Sequence, residues 1–223
     1  IGWLTGADMI EVDRIMMDEL GIDLVRMMEN AGRNLARLAI DLFEPASVAV
    51  LAGSGGNGGG GLVAARHLAN RGVEVTVTLG VTEGRLTDVP AQQLEILRRM
   101  GVPIIDEPPP APVVLDTLIG YSLRGAPRGR IGELVEQLSG RPTSVLSLDT
   151  PSGLDVTDGT TPGAAVAATA TLTLALPKIG LRRAVEVGEL YCGDISVPPS
   201  VYASIWVGPP TDFSRSLIVR VAR

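Results

Sequence analysis

The sequence predicts a Rossmann-like α/β fold: a largely parallel central sheet covered by helices on both faces. Three observations carry that reading. Short apolar runs alternate repeatedly with segments of helical period, a glycine-packed junction follows the first apolar run, and aspartates close two of the later runs. Parallel neighbours need crossover connections, and both faces of such a sheet must be buried, so a βα alternation of this kind favours helices on either side.

The first element is a helix opened by Thr5 and Asp8, a capping signal, with Met9, Val12, Ile15, Met16 and Leu20 at helical spacing until Gly21. Asp23 caps a second helix, whose apolar stripe is Leu24, Met27, Met28, Ala31, Leu35, Leu38 and Leu42. Pro45 keeps that helix from running into the strand that starts at Ser47. The methionine-rich stripe reads as core or as the contact of a homo-oligomer built through these N-terminal helices. After the glycines, the pattern Leu62 to Asn70 predicts a helix, Val73 to Leu79 a strand, Val89 to Met100 a helix and Val102 to Ile105 an extended segment. Beyond the break Pro108 to Pro112 come a buried strand over Val113 to Ile119, a helix over Ile131 to Leu138, and strands over Ser144 to Leu148 and Ala170 to Leu176. That break is short and the alternation continues past it, so residues 1–223 are read as one domain.

Composition narrows the function. A formal net charge of -6 and 3% aromatic residues argue against a surface made to neutralise phosphates and stack bases, so nucleic acid is not expected as a partner. No apolar run is long enough for a membrane span, and Ile1 to Thr5 lacks the basic start and apolar core of a secretory signal; a cytoplasmic protein is expected. The single Cys192 and single His67 give little support for a Cys/His metal cluster or catalytic dyad and are read as structural.

The junction Leu51-Ala-Gly-Ser-Gly-Gly-Asn-Gly-Gly-Gly-Gly-Leu62 is the first candidate site. Glycines let the backbone approach a ligand closely, and the first N–H groups of the next helix lack intrahelical partners, so a phosphate oxygen can accept from them. Gly53, Gly55 and Gly58 satisfy G-x-G-x-x-G. The acid that should close the second strand of a dinucleotide fold is missing, since Glu74 stands at that strand's beginning, and a standard NAD-dependent dehydrogenase is disfavoured. A Walker lysine and a G-x-S-x-G elbow are also missing, which disfavours a small-molecule kinase or a hydrolase.

Ligands of open parallel sheets collect at the carboxyl ends of the strands. Three segments place polar groups there: the glycine loop with Asn57, Asp116 to Gly125, and Ser147 to Leu154. An aspartate after an apolar run is costly unless it meets a donor, a cation or a substrate. The plainer readings are a turn or cap for Asp149, a solvated strand end for Asp116 and a turn hydroxyl for Ser152. Lys178, after Pro177, reads equally as a phosphate contact or a solvated lysine.

Met28-Glu-Asn-Ala-Gly32, Gly53 to Leu68, Asp116 to Gly125, Ser147 to Leu154, Pro177-Lys178 and Gly193-Asp-Ile-Ser-Val-Pro198 stand in an order that resembles the NAD(P)HX epimerase family, the YjeF-N domain type. The resemblance implies a three-layer α/β/α sandwich that binds hydrated NADH or NADPH (NADHX or NADPHX) and interconverts the R and S epimers at C6, a metabolite repair. It places Asn57, Asp116 and Ser152 on potassium-ligand positions. It places Gly56, Asn57, Gly58, Gly59, Gly60, Gly120, Tyr121, Ser122, Leu123, Arg124, Gly125, Ala126 and Asp149 on substrate-binding positions. Oxygen donors suit a hard monovalent cation such as K+. The chain departs from the family's Asn-Asn-Gly-Gly-Asp, reading Gly56-Asn57-Gly58-Gly59-Gly60, so two polar side chains are gone.

Epimerisation at a carbinolamine carbon needs a bond there to break and re-form with proton transfer, through ring opening or loss of the hydroxyl, and Asp149 is expected as the acid/base or as the group that stabilises a cationic intermediate. The competing reading is a nucleotide-binding or scaffolding domain of the same fold with weakened or lost turnover.

Overall fold

The computed structural model describes residues 2–138, 141–205, 208 and 210–222. Seven strands form one sheet in the order β2-β1-β3-β4-β5-β6-β7. They are β1 (Ser47–Ala52), β2 (Glu74–Leu79), β3 (Val113–Thr117), β4 (Ser144–Leu148), β5 (Ala170–Leu174), β6 (Glu189–Gly193) and β7 (Ile218–Arg220). All neighbours are parallel except β6 and β7. The chain moves from β1 outward to β2, then returns to β3 on the other side of β1, so the order reverses between β1 and β3. Such a reversal splays the connections apart and leaves a crevice at the carboxyl ends of those two strands.

The helices are α1 (Gly6–Arg14), α2 (Leu24–Phe43), α3 (Gly56–Ala69), α4 (Asp88–Arg99), α5 (Gly129–Leu138) and α6 (Pro199–Ser204). Pleating sends alternate side chains to opposite faces. Val48, Val50 and Ala52 of β1 accordingly join the large core with α1 to α4, whereas Ala49 and Leu51 join the smaller one with Leu134, Val135 and Leu138 of α5. The helices therefore lie on both faces of the sheet.

The N-terminal helices follow their caps. Thr5 accepts from the Asp8 N–H at 3.1 Å while Asp8 accepts from the Thr5 N–H at 2.8 Å, a reciprocal capping box. A π-helical turn, Ile15–Glu19, follows α1, and Asp23 caps α2 through the Arg26 N–H. Met9, Met16, Met27 and Met28 are core residues. Leu20 and Leu42, the last members of their predicted stripes, are exposed.

Two readings of the sequence need correction here. The helix expected from Leu62 begins at Gly56, so the glycine run is its first turn and a half rather than a loop. Glycine propensity argues against this, but the packing requires it: a Cβ on Gly61 would fall on the Thr117 hydroxyl, and one on Gly59 would meet Val89 at 2.9 Å. The sheet also continues beyond the last predicted strand, through β6 and the antiparallel β7. Val102 to Ile105 runs extended beside β2, joined to it by a single bridge between Ile104 and Val77.

Candidate active site

A cleft of about 360 Å³ opens at the carboxyl ends of β1, β3 and β4. Its walls include Ser54, Gly55, Gly56 and Asn57 at the start of α3, Gly120, Tyr121 and Ser122 after β3, Asp149 after β4, and Met9, Asp13 and Met17 from the N-terminal helical segment. Gly55 is the N-cap of α3, with no side-chain cap, so the first free N–H groups of that helix lie at the cleft, as an anion site requires. A Cβ on Gly120 would lie 3.2 Å from Asp149 Oδ2 and 3.3 Å from Asn57 Cγ. Gly120 thus stands between these two side chains, and its lack of a Cβ lets them close on it.

Asp149 holds a non-glycine left-handed conformation, φ 65, directly after β4. Its own N–H still donates to the Leu172 carbonyl at 2.7 Å, which continues the ladder to β5 while the side chain turns into the cleft. Aspartate tolerates this region better than most residues. Asp149 is 3% exposed, and among the described residues its carboxylate receives two donors: the Tyr121 N–H at 3.0 Å on Oδ2 and the Lys178 ammonium on Oδ1.

Lys178 is not the solvated lysine of one expectation. It is 0% exposed, the largest fully buried side chain described, with Nζ also donating to the Leu174 carbonyl at 2.9 Å and towards Thr173 Oγ1 at 3.3 Å. A buried ammonium is tolerable only when paired and bonded in this way. The backbone around it is fixed by a parallel bridge to Leu4, in which Leu4 N donates to Pro177 O and Ile179 N donates to Leu4 O, both at 2.9 Å. Ala175, three residues earlier, is also left-handed, φ 63. Unfavourable backbone thus flanks the ion pair on two adjacent strand ends, as at preorganised sites.

Asp116 is also 0% exposed but is partnered differently. Its carboxylate accepts from Ser147 Oγ at 2.8 Å, Ser152 N at 2.8 Å, Ser152 Oγ at 2.6 Å and Leu118 N at 3.4 Å. Register explains Ser147, which pairs with Asp116 across β3 and β4. None of these partners is a cation. Burial pushes the Asp116 carboxyl above the usual range, against the pull of the Ser152 and Ser147 donors. Ser152 Oγ also accepts from Ile119 N at 2.9 Å, which ties the β3 and β4 turns together.

The sequence-predicted residues divide accordingly. Asn57, Gly56, Gly120, Tyr121, Ser122 and Asp149 meet at the cleft. Asp116 and Ser152 are buried and do not line it. Gly58, Gly59 and Gly60 do not line it either; they are buried along α3. A Cβ on Gly60 would run into Leu148 Cδ2 at 2.7 Å, with Met28 Sδ at 3.5 Å, so a side chain there would enter the helix–sheet interior. Gly56 differs, since its Cβ direction meets Leu24 at an ordinary 3.4 Å on the cleft wall. Leu123, Arg124, Gly125 and Ala126 lie beyond the lining.

Asp13 was missed by the sequence reading. It stands four residues from both Met9 and Met17, and all three line the cleft; that i, i+4 spacing was the available signal. Its Oδ2 accepts from the Tyr121 hydroxyl at 2.6 Å. Burial raises the Asp13 carboxyl, partly offset by the Tyr121 hydrogen bond and the Lys178 charge.

The two residues read as structural stand apart from the cleft lining. His67 Nε2 meets Glu29 Oε1 at 2.9 Å, and Glu29 also pairs with Arg66. Cys192 is buried, with its thiol pushed up to about 12 by desolvation. No helix among the described residues is long and apolar enough to cross a membrane.

Comparison with known proteins agrees with this geometry. The family described as YjeF-related protein N-terminus matches residues 25–180. The chain is 50% identical over 202 residues to the NAD(P)H-hydrate epimerase of Dehalogenimonas lykanthroporepellens, covering 87% of this chain and 82% of that protein. It is 38% identical to the NAD(P)H-hydrate epimerase of Truepera radiovictrix, over 85% of this chain and 87% of that one. The bifunctional NAD(P)H-hydrate repair enzyme Nnr of Hyperthermus butylicus is 40% identical over 92% of this chain, which spans 40% of that longer protein. Among solved structures, yeast ynu0 superposes with a TM-score of 0.87 at 25% identity, covering 99% of this chain and 100% of that one. With a matched family pattern over most of its length, close epimerase relatives and the same fold, the chain belongs to the NAD(P)HX epimerase family, the YjeF-related N-terminal type.

Proposed function

We propose that the chain interconverts the R and S epimers of NADHX and NADPHX in nicotinamide-nucleotide repair, with Asp149 as a proton-transfer group. The observation that carries this reading is the convergence at one cleft of a free helix N-terminus and a buried Asp149–Lys178 pair. The first feature suits the phosphates of a nucleotide. The second holds a carboxylate in one orientation beside the place where proton exchange is needed.

The chemistry is an isomerisation with no net redox change. In the ring-opening route, a base takes the proton of the C6 hydroxyl, and that electron pair forms the C6=O bond. The C6–N1 bond breaks towards N1, which receives a proton. Rotation about C5–C6 followed by the reverse sequence closes the ring on the other aldehyde face. The enzyme's part is to hold the nucleotide, keep the opened chain in place and carry the two protons. Among the described residues Asp149 Oδ2 receives only the Tyr121 N–H, while Oδ1 is held by Lys178, so a lone pair on Oδ2 can serve the hydroxyl.

Potassium fits the neighbouring corner in its chemistry. Asp116 is a fully buried carboxylate with no cationic partner among its hydrogen bonds, and Asn57 Nδ2 is buried without a partner among the described residues. Turning that amide over would put its oxygen in the same place, a choice that hydrogen-bond networks rather than electron count decide. Asn57, Asp116 and Ser152 are the residues that would hold the ion, which would supply a positive charge to balance the buried Asp116 carboxylate.

Incubating a single resolved epimer of NADHX, and separately of NADPHX, with the protein tests the activity: the expected product is the mixture of both epimers. Binding of either nucleotide without epimer exchange would support instead a binding domain, the reading that Gly56 keeps open. Anomalous scattering after thallium exchange tests the ion, with a peak expected among the Asn57, Asp116 and Ser152 oxygens and its absence at saturation counting against it.

A further inference from the structure

Resting on the epimerase reading, we propose that Asp13 is the second proton-transfer group of the cleft, delivering to the ring nitrogen the proton that Asp149 does not handle. Neither proton in the ring-opening step can simply move from oxygen to nitrogen on one group without that group reaching both atoms, and two carboxyls on different walls remove the need. The cleft has two such carboxyls. Asp149 comes from the sheet and Asp13 from α1, and both line the same cavity.

One residue ties the pair together. Tyr121 donates its backbone N–H to Asp149 Oδ2 at 3.0 Å and its hydroxyl to Asp13 Oδ2 at 2.6 Å, so a single residue links the two carboxyls. The wall that bears Asp13 is also anchored beside the other half of the site. Leu4, just before the Thr5–Asp8 capping box, bridges to Lys178 through two backbone hydrogen bonds. No hydrogen bond to Asp13 Oδ1 forms among the described residues, which leaves that oxygen to the cleft.

Their surroundings give the two acids different roles. Asp149 is matched to an ammonium, whereas the groups facing Asp13 are the Tyr121 phenol, which is itself pushed above its ordinary value by burial and by Asp13, and more distantly Lys178 and Asp149. Burial raises the Asp13 carboxyl, so it keeps its proton to higher pH than a solvated aspartate does. A carboxyl that keeps its proton on one wall and a carboxylate paired with an ammonium on the other are the arrangement for one acid and one base. In the forward step Asp149 takes the hydroxyl proton and Asp13 gives its proton to N1 as the C6–N1 electrons arrive; closure on either face returns both protons.

The test is the pH dependence of epimerisation of a single NADHX epimer by the full chain, its Asp13→Asn variant and its Tyr121→Phe variant, with folding checked by thermal unfolding. Asp13→Asn is expected to lower kcat by about 10²–10⁴-fold with a much smaller change in KM, and to remove the alkaline limb of the profile. Tyr121→Phe keeps the carboxyl but removes the hydrogen bond that lowers it, so the alkaline limb should move to higher pH; this arm decides the matter if Asp13→Asn does not fold. An Asp13→Asn protein with unchanged kcat and limb, or a Tyr121→Phe profile with an unmoved limb, would overturn the role of Asp13 alone. A parent protein that binds NADHX without exchanging epimers would overturn the epimerase reading, and this inference with it.

Discussion

Asp116 and Asp149 close neighbouring strands of one sheet and are almost equally buried, yet one is surrounded by hydroxyl and N–H donors and the other by an ammonium. The difference lies in what stands beside each strand end. Asp116 looks across to β4, which supplies Ser147 and the Ser152 turn, whereas Asp149 looks towards the end of β5, where Lys178 returns beneath it. Burial is thus a poor guide to the part each acid takes. The partners separate a sealed corner of neutral donors from a charged pair whose free edge meets the cleft.

The two corners differ most at the lysine. Lys178→Met leaves the Asp149 carboxylate buried and unpaired, and by analogy with one-sided disruption of buried ion pairs it should cost about 3–5 kcal/mol, read as a drop in unfolding free energy in denaturant. A loss below about 1 kcal/mol would mean that water reaches the pair and that Asp149 is no more enclosed than a surface acid.

Ser152→Ala sharpens the other side. It removes the 2.6 Å hydroxyl bond to Asp116 but leaves the Ser152 N–H, Ser147 and Leu118 donors. A loss of about 1.5–3 kcal/mol is expected, the usual range for a hydrogen bond to a charged group, and it should be smaller than that of Lys178→Met under the same conditions. Equal losses would erase the distinction between the two corners.

The smallest contrast lies along α3, between a glycine on the cleft and one in the interior. Gly60→Asp must displace Leu148 and bury a carboxylate beside Met28, so it should destabilise by at least about 1–3 kcal/mol and should not raise turnover. Gly56→Asn has room against Leu24 and should change stability by less than about 1 kcal/mol while changing KM for the nucleotide. Thermal unfolding and steady-state kinetics on the two single variants separate these outcomes.

Much of this was legible in the sequence because it depends on local pattern. The strand Ser144–Leu148, the Thr5 and Asp23 caps and the strand-end position of Asp116 and Asp149 all follow from periodicity and capping chemistry. What was not legible depends on partners distant in the chain. The helical state of Gly56 to Gly61 contradicts glycine propensity and is set by Thr117, Val89 and Leu148 closing on α3. The burial of Lys178 needs Asp149, which lies 29 residues earlier. β7 is three residues long, too short to show a period, and is defined only by its pairing with β6. Asp13 enters the site through Tyr121, 108 positions away, a contact that no window along the chain reveals.

On the proposed mechanism the carboxylate at position 149 carries out epimer exchange. Its most direct test is the rate at which a single NADHX epimer is converted by the parent and by the double variant Asp149→Asn, Lys178→Met, which removes both charges and so avoids leaving the buried ammonium alone. The double variant is expected to stay folded and still bind NADHX, with turnover lower by about 10²-fold or more. Equal rates for the two proteins, with binding intact, would contradict it.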